Sequence, residues 1–251
     1  MRAEKLLSKP LRISTAAIFT ALVCASTMVL SVYVPATKGY FNIGETMVYI
    51  TAFLFGPSVG AFAGGVGSML ADVFLGYGYY APGTLVIKAC EGAIVGLLSR
   101  RVIGSRAGSY WKVFTVILGL LVGVTLGAVG SIYYVGEVEL YLGIPPPQSP
   151  SLMLNIIPEL WYGLGALVTV VVALIGFVFE PDFGWMIISI ITGGLEMVFG
   201  YFLYESLVLG YGLVAIAEVP INVGQMTVGL IISIPVARVV WRYLPDLRRT
   251  L

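Results

Sequence analysis

Long apolar stretches, separated by short polar or glycine–proline breaks, run the length of the chain. The first covers residues 13–34, about 22 residues, enough to cross a hydrocarbon core as a helix. It is longer than the apolar centre of a cleavable signal, roughly 7–15 residues, so it reads as a retained helix. The next apolar material covers residues 44–75 and is interrupted by Gly56 and Pro57. Further runs cover 83–103, 112–134, 155–179, 184–208 and 213–241. The pattern predicts an all-α membrane protein.

Charge decides whether 44–75 is one span or two, because basic residues near span ends mark the cytoplasmic side. Arg2, Lys5, Lys9 and Arg12 form one group; Arg100, Arg101, Arg106 and Lys112 a second; Arg238, Arg242, Arg248 and Arg249 a third. A single crossing would place the second and third groups opposite the first. A turn at Gly56-Pro57 collects all three on one side. Lys38 is then left in an outer loop and Lys88 inside a span. The chain therefore reads as eight membrane segments in a single integral membrane domain, 1–251, with both termini cytoplasmic. Residues 44–56 make a helix of only about 20 Å at 1.5 Å per residue, which needs protein around it near the middle of the bundle.

Composition agrees: 59% of the 251 residues are hydrophobic and 11% charged, against about 25% charged in soluble domains, and the mean hydropathy is +0.97. There is no histidine, which excludes histidine-based triads, metal sites and proton relays. Cys24 and Cys90 lie in apolar runs and read as packing residues. No Walker A sequence is present. No metal, cofactor or nucleic acid is implied. The loop 136–151, with Glu137, Glu139 and three consecutive prolines, is the one sizeable hydrophilic connection and faces outward in this arrangement.

Ionisable residues inside spans are costly and mark function by default. Glu45 and Tyr49 are an i, i+4 pair at the outer start of the short helix. Asp72 lies near the outer end of its segment; Lys88 and Glu91 lie one and two turns inside theirs. Glu218, Asn222 and Gln225 share one helical face by their i, i+4, i+7 spacing. Tyr204 and Glu205 end another span on the outer side, and Glu196 alone lies deeper. The polar set converges on the outer half of the bundle, where a channel would need polar groups at every depth. It describes a pocket opening outward. Tyr33, Tyr40, Phe41, Tyr77, Tyr79 and Tyr80 either ring its mouth, suiting a small planar ligand, or anchor the protein at the membrane interface. Lys88 with Glu91 or Asp72 also reads as an internal structural pair.

Two segments carry small residues at i, i+4 spacing, which lets helices approach closely. Gly60, Gly64 and Ser68 form one stripe. Ala17, Ala21 and Ala25 form a smooth ridge on the first span, suited either to internal packing or to a partner helix docked from outside.

Several motifs in order resemble the substrate-binding S components of energy-coupling factor (ECF) transporters, closest to the riboflavin and hydroxymethylpyrimidine-type group. They are YFNIGETMVY (40–49), LFGP (54–57), AGGVGSMLAD (63–72), YAP (80–82), IKACEG (87–92), EMVFGYFLYE (196–205) and EVPINVGQ (218–225). The resemblance covers about 10–103 and 184–242. It implies a six-helix bundle in the plasma membrane that captures a vitamin or precursor from outside. It also implies docking on a transmembrane T component driven by two ATPase subunits. The alanine ridge, Ala17, Ala21 and Ala25, would then be the T-component contact. The loop at about 35–44, which contains Asn42, would cover the ligand. Residues 112–179 depart from the family as an inserted pair of spans. The substrate-binding set is thus Asn42, Glu45, Tyr49, Asp72, Tyr80, Lys88, Glu91, Glu196, Tyr204, Glu218, Asn222 and Gln225. The reading is a binding and translocation subunit rather than an enzyme. The alternative is a self-sufficient, proton-coupled secondary transporter.

The topology is tested with single cysteines placed at Gly108 and Gly143 in a cysteine-free background. An impermeant thiol reagent added outside should label position 143 and leave 108 unlabelled; the reverse pattern rejects the eight-segment arrangement.

Overall fold

A computed structural model of the chain describes residues 9–34, 36–99, 108–133, 135–140, 152–178 and 181–244. Arg2, Lys5, Arg100, Arg101, Arg106, Arg248, Arg249 and the three prolines of the outer loop lie outside the described residues. Among the described residues there are eight α-helices: α1 Lys9–Val29, α2 Glu45–Phe55, α3 Pro57–Leu75, α4 Ala81–Leu98, α5 Gly108–Tyr133, α6 Pro158–Val178, α7 Pro181–Leu203 and α8 Val219–Tyr243. Seven helical stretches are long and apolar enough to cross a membrane; α2 is the short one.

The first apolar run does not stay helical to its end. The helix stops at Val29, and Ser31–Val34 form strand β1, paired antiparallel with β2, Gly39–Asn42, in the register Ser31↔Asn42 to Val34↔Gly39. Valine and tyrosine are good strand formers, and hydropathy alone does not separate a short buried strand from the last turn of a helix. The turn between the strands is closed by Lys38 in the left-handed region, φ 54°.

The break at Gly56 is real and local. Gly56 adopts φ 80°, a conformation costly for any side chain, while its N–H still bonds Ala52 O at 2.9 Å. Pro57 then opens α3, where its missing N–H costs nothing. Helix α2, at eleven residues, spans only about 16 Å. Its side chains are mostly buried, including Glu45, Tyr49 and Phe53, and it packs against α8, α3, α4 and α1. This is the central placement expected for so short a segment.

Helices α3 and α4 run antiparallel in intimate contact. A Cβ at Gly60 would lie 2.8 Å from Gly92 O, one at Gly64 2.9 Å from Lys88 O, and one at Gly96 2.6 Å from Pro57 N. The Gly60/Gly64/Ser68 stripe is therefore internal. The ridge on α1 is not: Ala17, Ala21 and Ala25 are all exposed, while Val23, Cys24 and Thr27 face inward against α3. Cys90 is exposed as well, so only Cys24 is a packing residue; both are free thiols. α7 packs on α4, and α8 on α2 and α7, around a core that includes Val48, Phe53, Ile87, Ile190, Met197 and Met226.

Helices α5 and α6 pack chiefly on each other and touch α7 and α8 along one flank. Their antiparallel contact is again set by small residues: Gly119 O accepts a bond from Thr169 Oγ1 at 3.0 Å. Beyond them β3, Gly136–Leu140, pairs antiparallel with β4, Leu152–Ile156, so the hydrophilic connection starts and ends as a β-ladder.

The glycine contacts make a testable contrast. Gly60→Val must displace the α4 backbone and should lower stability by about 1–3 kcal/mol. Gly163→Ala, on α6, meets nothing within 4 Å and should be neutral or stabilise by up to about 1 kcal/mol. Thermal unfolding in detergent measures both.

Candidate functional site

The site begins with three charges. Glu45 opens α2; Lys88 and Glu91 sit three residues apart on α4, facing it. The Lys88 ammonium bonds the Glu45 carboxylate and lies 3.0 Å from Glu91 Oε2. Tyr49, one turn after Glu45, donates its hydroxyl to Glu91 Oε1 at 2.7 Å. All four side chains are buried. Burial of unpaired charge costs several kcal/mol per ion, so α2 and α4 are locked to each other by the need to keep this cluster complete. The Tyr201 ring, from α7, lies 5.6 Å from the Lys88 ammonium and adds a cation–π contact.

Above the cluster, towards the β1–β2 end, lies a narrow cavity of about 30 Å³, partly open to the surface. Most elements at this end contribute to its wall. β2 supplies Gly39, Tyr40 and Asn42; α3 supplies Ser68 and Asp72; α4 supplies Thr84 and Lys88. α8 supplies Asn222 and Gln225, and α7 supplies Tyr201. Glu205 comes from a π-type turn, Tyr204–Val208, that extends α7, and Glu218 from a 3-10 turn, Gly212–Glu218, that leads into α8. Thr27 closes the wall from α1.

The hydroxyls of the wall are already committed. Tyr40 donates to Asp72 Oδ1 at 2.6 Å, and Tyr201 to Thr84 Oγ1 at 2.9 Å. Tyr80 reaches Thr37 O at 3.0 Å and Glu205 Oε1 at 3.2 Å. The Thr37 hydroxyl bonds the Glu218 carboxylate, so the β1–β2 turn is tied to the head of α8. Tyr79 donates to Lys38 O at 2.7 Å, a second tie on the same turn. Burial, then the Asp72 carboxylate, pushes the Tyr40 phenol well above its ordinary value. Burial, then the Glu218 and Glu205 carboxylates, does the same to Tyr80, and burial lifts Tyr77 to about 12. These phenols remain protonated donors at neutral pH.

Tyr40, Tyr77 and Tyr80 are buried and packed together, with Tyr40 and Tyr77 stacked at 4.5 Å between centroids. Tyr40 and Tyr80 line the cavity and Tyr77 packs behind them, while Tyr79 is exposed.

Of the residues singled out from sequence, Asn42, Asp72, Tyr80, Lys88, Glu218, Asn222 and Gln225 line the cavity. Glu45, Tyr49 and Glu91 stand behind Lys88 and hold it. Tyr204 packs over Gly83 and donates to Tyr79 O at 2.7 Å, supporting the aromatic wall from outside. Glu196 is half-buried and away from the lining. Tyr40 and Glu205, also singled out from sequence, line it too, while Thr27, Gly39, Ser68, Thr84 and Tyr201 went unselected. Three of them carried a usable signal. Ser68 precedes Asp72, Thr84 precedes Lys88 and Tyr201 precedes Glu205 by four residues each, one helical turn on the same face.

Comparison with known proteins gives two matches. The family model described as "ECF-type riboflavin transporter, S component" matches residues 8–174. That match takes in α1 to α4, continues through α5 and most of α6, and stops before α7. A protein from Pyrococcus woesei, described as an uncharacterized protein in gap 3'region, is 54% identical over 78 residues, 31% of this chain and 52% of that protein. The chain thus spans about half the length of that relative.

Breaking the charge cluster from one side should be severe. Lys88→Met leaves Glu45 and Glu91 buried without a cation and should cost about 3–5 kcal/mol. Adding Glu45→Gln and Glu91→Gln to Lys88→Met removes the uncompensated charge and should recover much of that loss. Thermal unfolding midpoints of the single and triple variants decide; equal destabilisation would mean that the charges are not what holds α2 against α4.

Proposed function

The chain belongs to the family of ECF-type riboflavin transporter S components, multi-pass membrane subunits that bind substrate, and from that premise we propose that it captures a vitamin or vitamin precursor from outside the cell. It passes this ligand across the membrane with a T component and two ATPase subunits. The observation that carries the reading is a polar, aromatic-lined cavity confined to one end of an apolar bundle and roofed by the β1–β2 turn. Beyond the charge cluster the bundle core is mainly apolar, with scattered buried hydroxyls such as Ser189 and Ser233, so the cavity has a floor. The chain has no Walker A sequence of its own, which agrees with ATP being used by separate subunits. In this reading residues 1–251 are one membrane domain, both termini are cytoplasmic, and α5 and α6 are an appended pair beside the binding bundle.

Mass spectrometry of small molecules released from the detergent-purified protein tests the reading, with riboflavin as the first compound sought and then titrated. Release of a stoichiometric vitamin-like compound supports it. A second reading, a proton-coupled carrier working alone, is favoured by one observation: Glu196 Oε2 is buried without a hydrogen-bond partner, as a proton-carrying carboxyl in mid-span would be. Uptake of the released compound into vesicles that contain only this chain would establish that alternative and displace the first.

The exposed alanine ridge separates binding from partner docking. Ala17→Trp and Ala21→Trp add bulk outside the bundle and away from the cavity. Affinity in detergent should change by less than about twofold, while co-purification of the T and ATPase subunits and uptake in cells should be lost. Retained co-purification with lost ligand binding would reverse the assignment of α1.

A further inference from the structure

The seam between the α5–α6 pair and the rest of the bundle does not close. Within the pair the backbones nearly touch: a Cβ at Gly119 would lie 2.8 Å from Thr169 O. The pair meets α7 and α8 along one flank only, and there a cavity of about 90 Å³ remains. Val122 of α5, Val168, Val171 and Val172 of α6, Ile191 of α7 and Leu230 of α8 line it. Thr227, the one hydroxyl among the described lining residues, donates to Val223 O at 2.8 Å, so the wall offers water no partner. An apolar gap of this kind stays dry. Its floor, Val122, Val172, Ile191 and Leu230, is buried, whereas Leu167 and Ile231 at its rim are 58% and 52% exposed. The slot therefore opens sideways, and what surrounds a membrane bundle at mid-span is hydrocarbon.

Charge marks one end of the slot. β3, which follows α5, touches β1 of the roof, so α5 starts and α8 finishes at the end of the bundle away from the polar cavity. Lys112, near the start of α5, lies about 15 Å along its helix from Val122, and Arg238 and Arg242 lie about 10 and 16 Å along α8 from Ile231. Ile231, Arg238 and Arg242 share one helical face by their spacing. All three cations are exposed, and the Lys112 ammonium sits 5.5 Å from the centroid of the Phe177 ring of α6. One leaflet of a hydrocarbon core about 30 Å thick is about 15 Å deep. A headgroup level with Lys112 and Arg242 would thus put the end of its hydrocarbon tail at the cavity. Glu180 and Asp182 share this end but are outnumbered by the basic residues of 100–112 and 238–249.

We propose that this seam is a lipid site: the hydrocarbon tail of an anionic membrane lipid fills the cavity, and its headgroup pairs with Lys112 and Arg242. The lipid belongs to the leaflet that faces away from the polar cavity. It completes the packing between the appended pair and the binding bundle. The site is separate from the polar cavity and stands whatever that cavity binds.

The test gives the full chain, in a mild detergent, an equimolar mixture of phosphatidylglycerol and phosphatidylcholine with identical tails, and weighs what is retained by native mass spectrometry. One phosphatidylglycerol per chain should stay bound, in at least about fivefold excess over phosphatidylcholine, since each basic side chain near a headgroup favours the anionic lipid. Val171→Phe takes the space in which the tail makes its dispersion contacts and should lower retention to about a third or less, with the unfolding midpoint in detergent kept. If that variant does not fold, Leu167→Phe at the rim takes its place. Lys112→Gln combined with Arg242→Gln should cut the preference to about twofold or less while lipid is still retained. Equal retention of the two lipids by the unaltered chain would overturn the headgroup pairing, and undiminished retention by the filled variant would overturn the tail site; either result ends the proposal. A chain that is dimeric and becomes monomeric when the slot is filled would give the slot to a second copy and overturn it as well.

Discussion

An ammonium held between two carboxylates, inside a bundle with little water to share, constrains most of what surrounds it. Lys88 needs Glu45 and Glu91 in place, Glu91 needs the Tyr49 hydroxyl, and these four groups come from two helices only. Isolated charges are tolerated in apolar surroundings only when paired and hydrogen-bonded. That requirement holds the short helix α2 in register with α4, although α2 is too short to be anchored at both membrane faces. It also sets the level at which the cavity begins, because Lys88 is both the apex of the cluster and part of the cavity wall.

Below that level the packing is dry and close. The glycines of α3 and α4 bring backbone against backbone, and the core of α2, α7 and α8 is built from Val48, Phe53, Ile190, Met197 and Met226. Above it the same helices end in turns that carry carboxylates, amides and phenols. The change is sharp because each helix contributes its polar residues from one end only: the start of α2, α4 and α8 and the finish of α3 and α7. The β1–β2 turn then closes the polar end, tied down through Thr37 and Lys38 to two other places, Glu218 at the head of α8 and Tyr79 and Tyr80 in the turn before α4.

Helix positions were readable in the sequence because apolar runs and glycine–proline breaks are strong, local signals; Gly56-Pro57 divides 44–75 where the structure does. The strand at Ser31–Val34 was not readable, because four apolar residues after a helix look the same to a hydropathy pattern whether they continue coiling or extend. Spacing identified the faces of α4 and α8, and Lys88, Asn222 and Gln225 do line one cavity. It could not tell which polar residues would face the cavity and which would serve each other. The Lys88–Glu91 pair was one of the readings open on α4 and is present; that Glu45 and Tyr49, from a helix about 40 residues earlier, complete it is a relation no local pattern reveals. Thr84, Ser68 and Tyr201 were overlooked because hydroxyls in spans usually bond their own backbone, as Thr20 and Thr27 do here. The alanine ridge of α1 left two readings open until its exposure showed that none of the described residues covers it.

The order of the parts along the chain bears on how such a protein is made. Membrane proteins assemble as they are synthesised, the N-terminal portion first. The costly cluster lies wholly within the first 91 residues, so its charges are paired as soon as α2 and α4 are in place. The partner faces of α7 and α8 arrive only after the whole of α5 and α6 has been made. Glu205, Glu218, Asn222 and Gln225 come with them. A chain halted before α7 would therefore have its charge cluster paired and only half a cavity wall, so the last two helices are what complete the cavity.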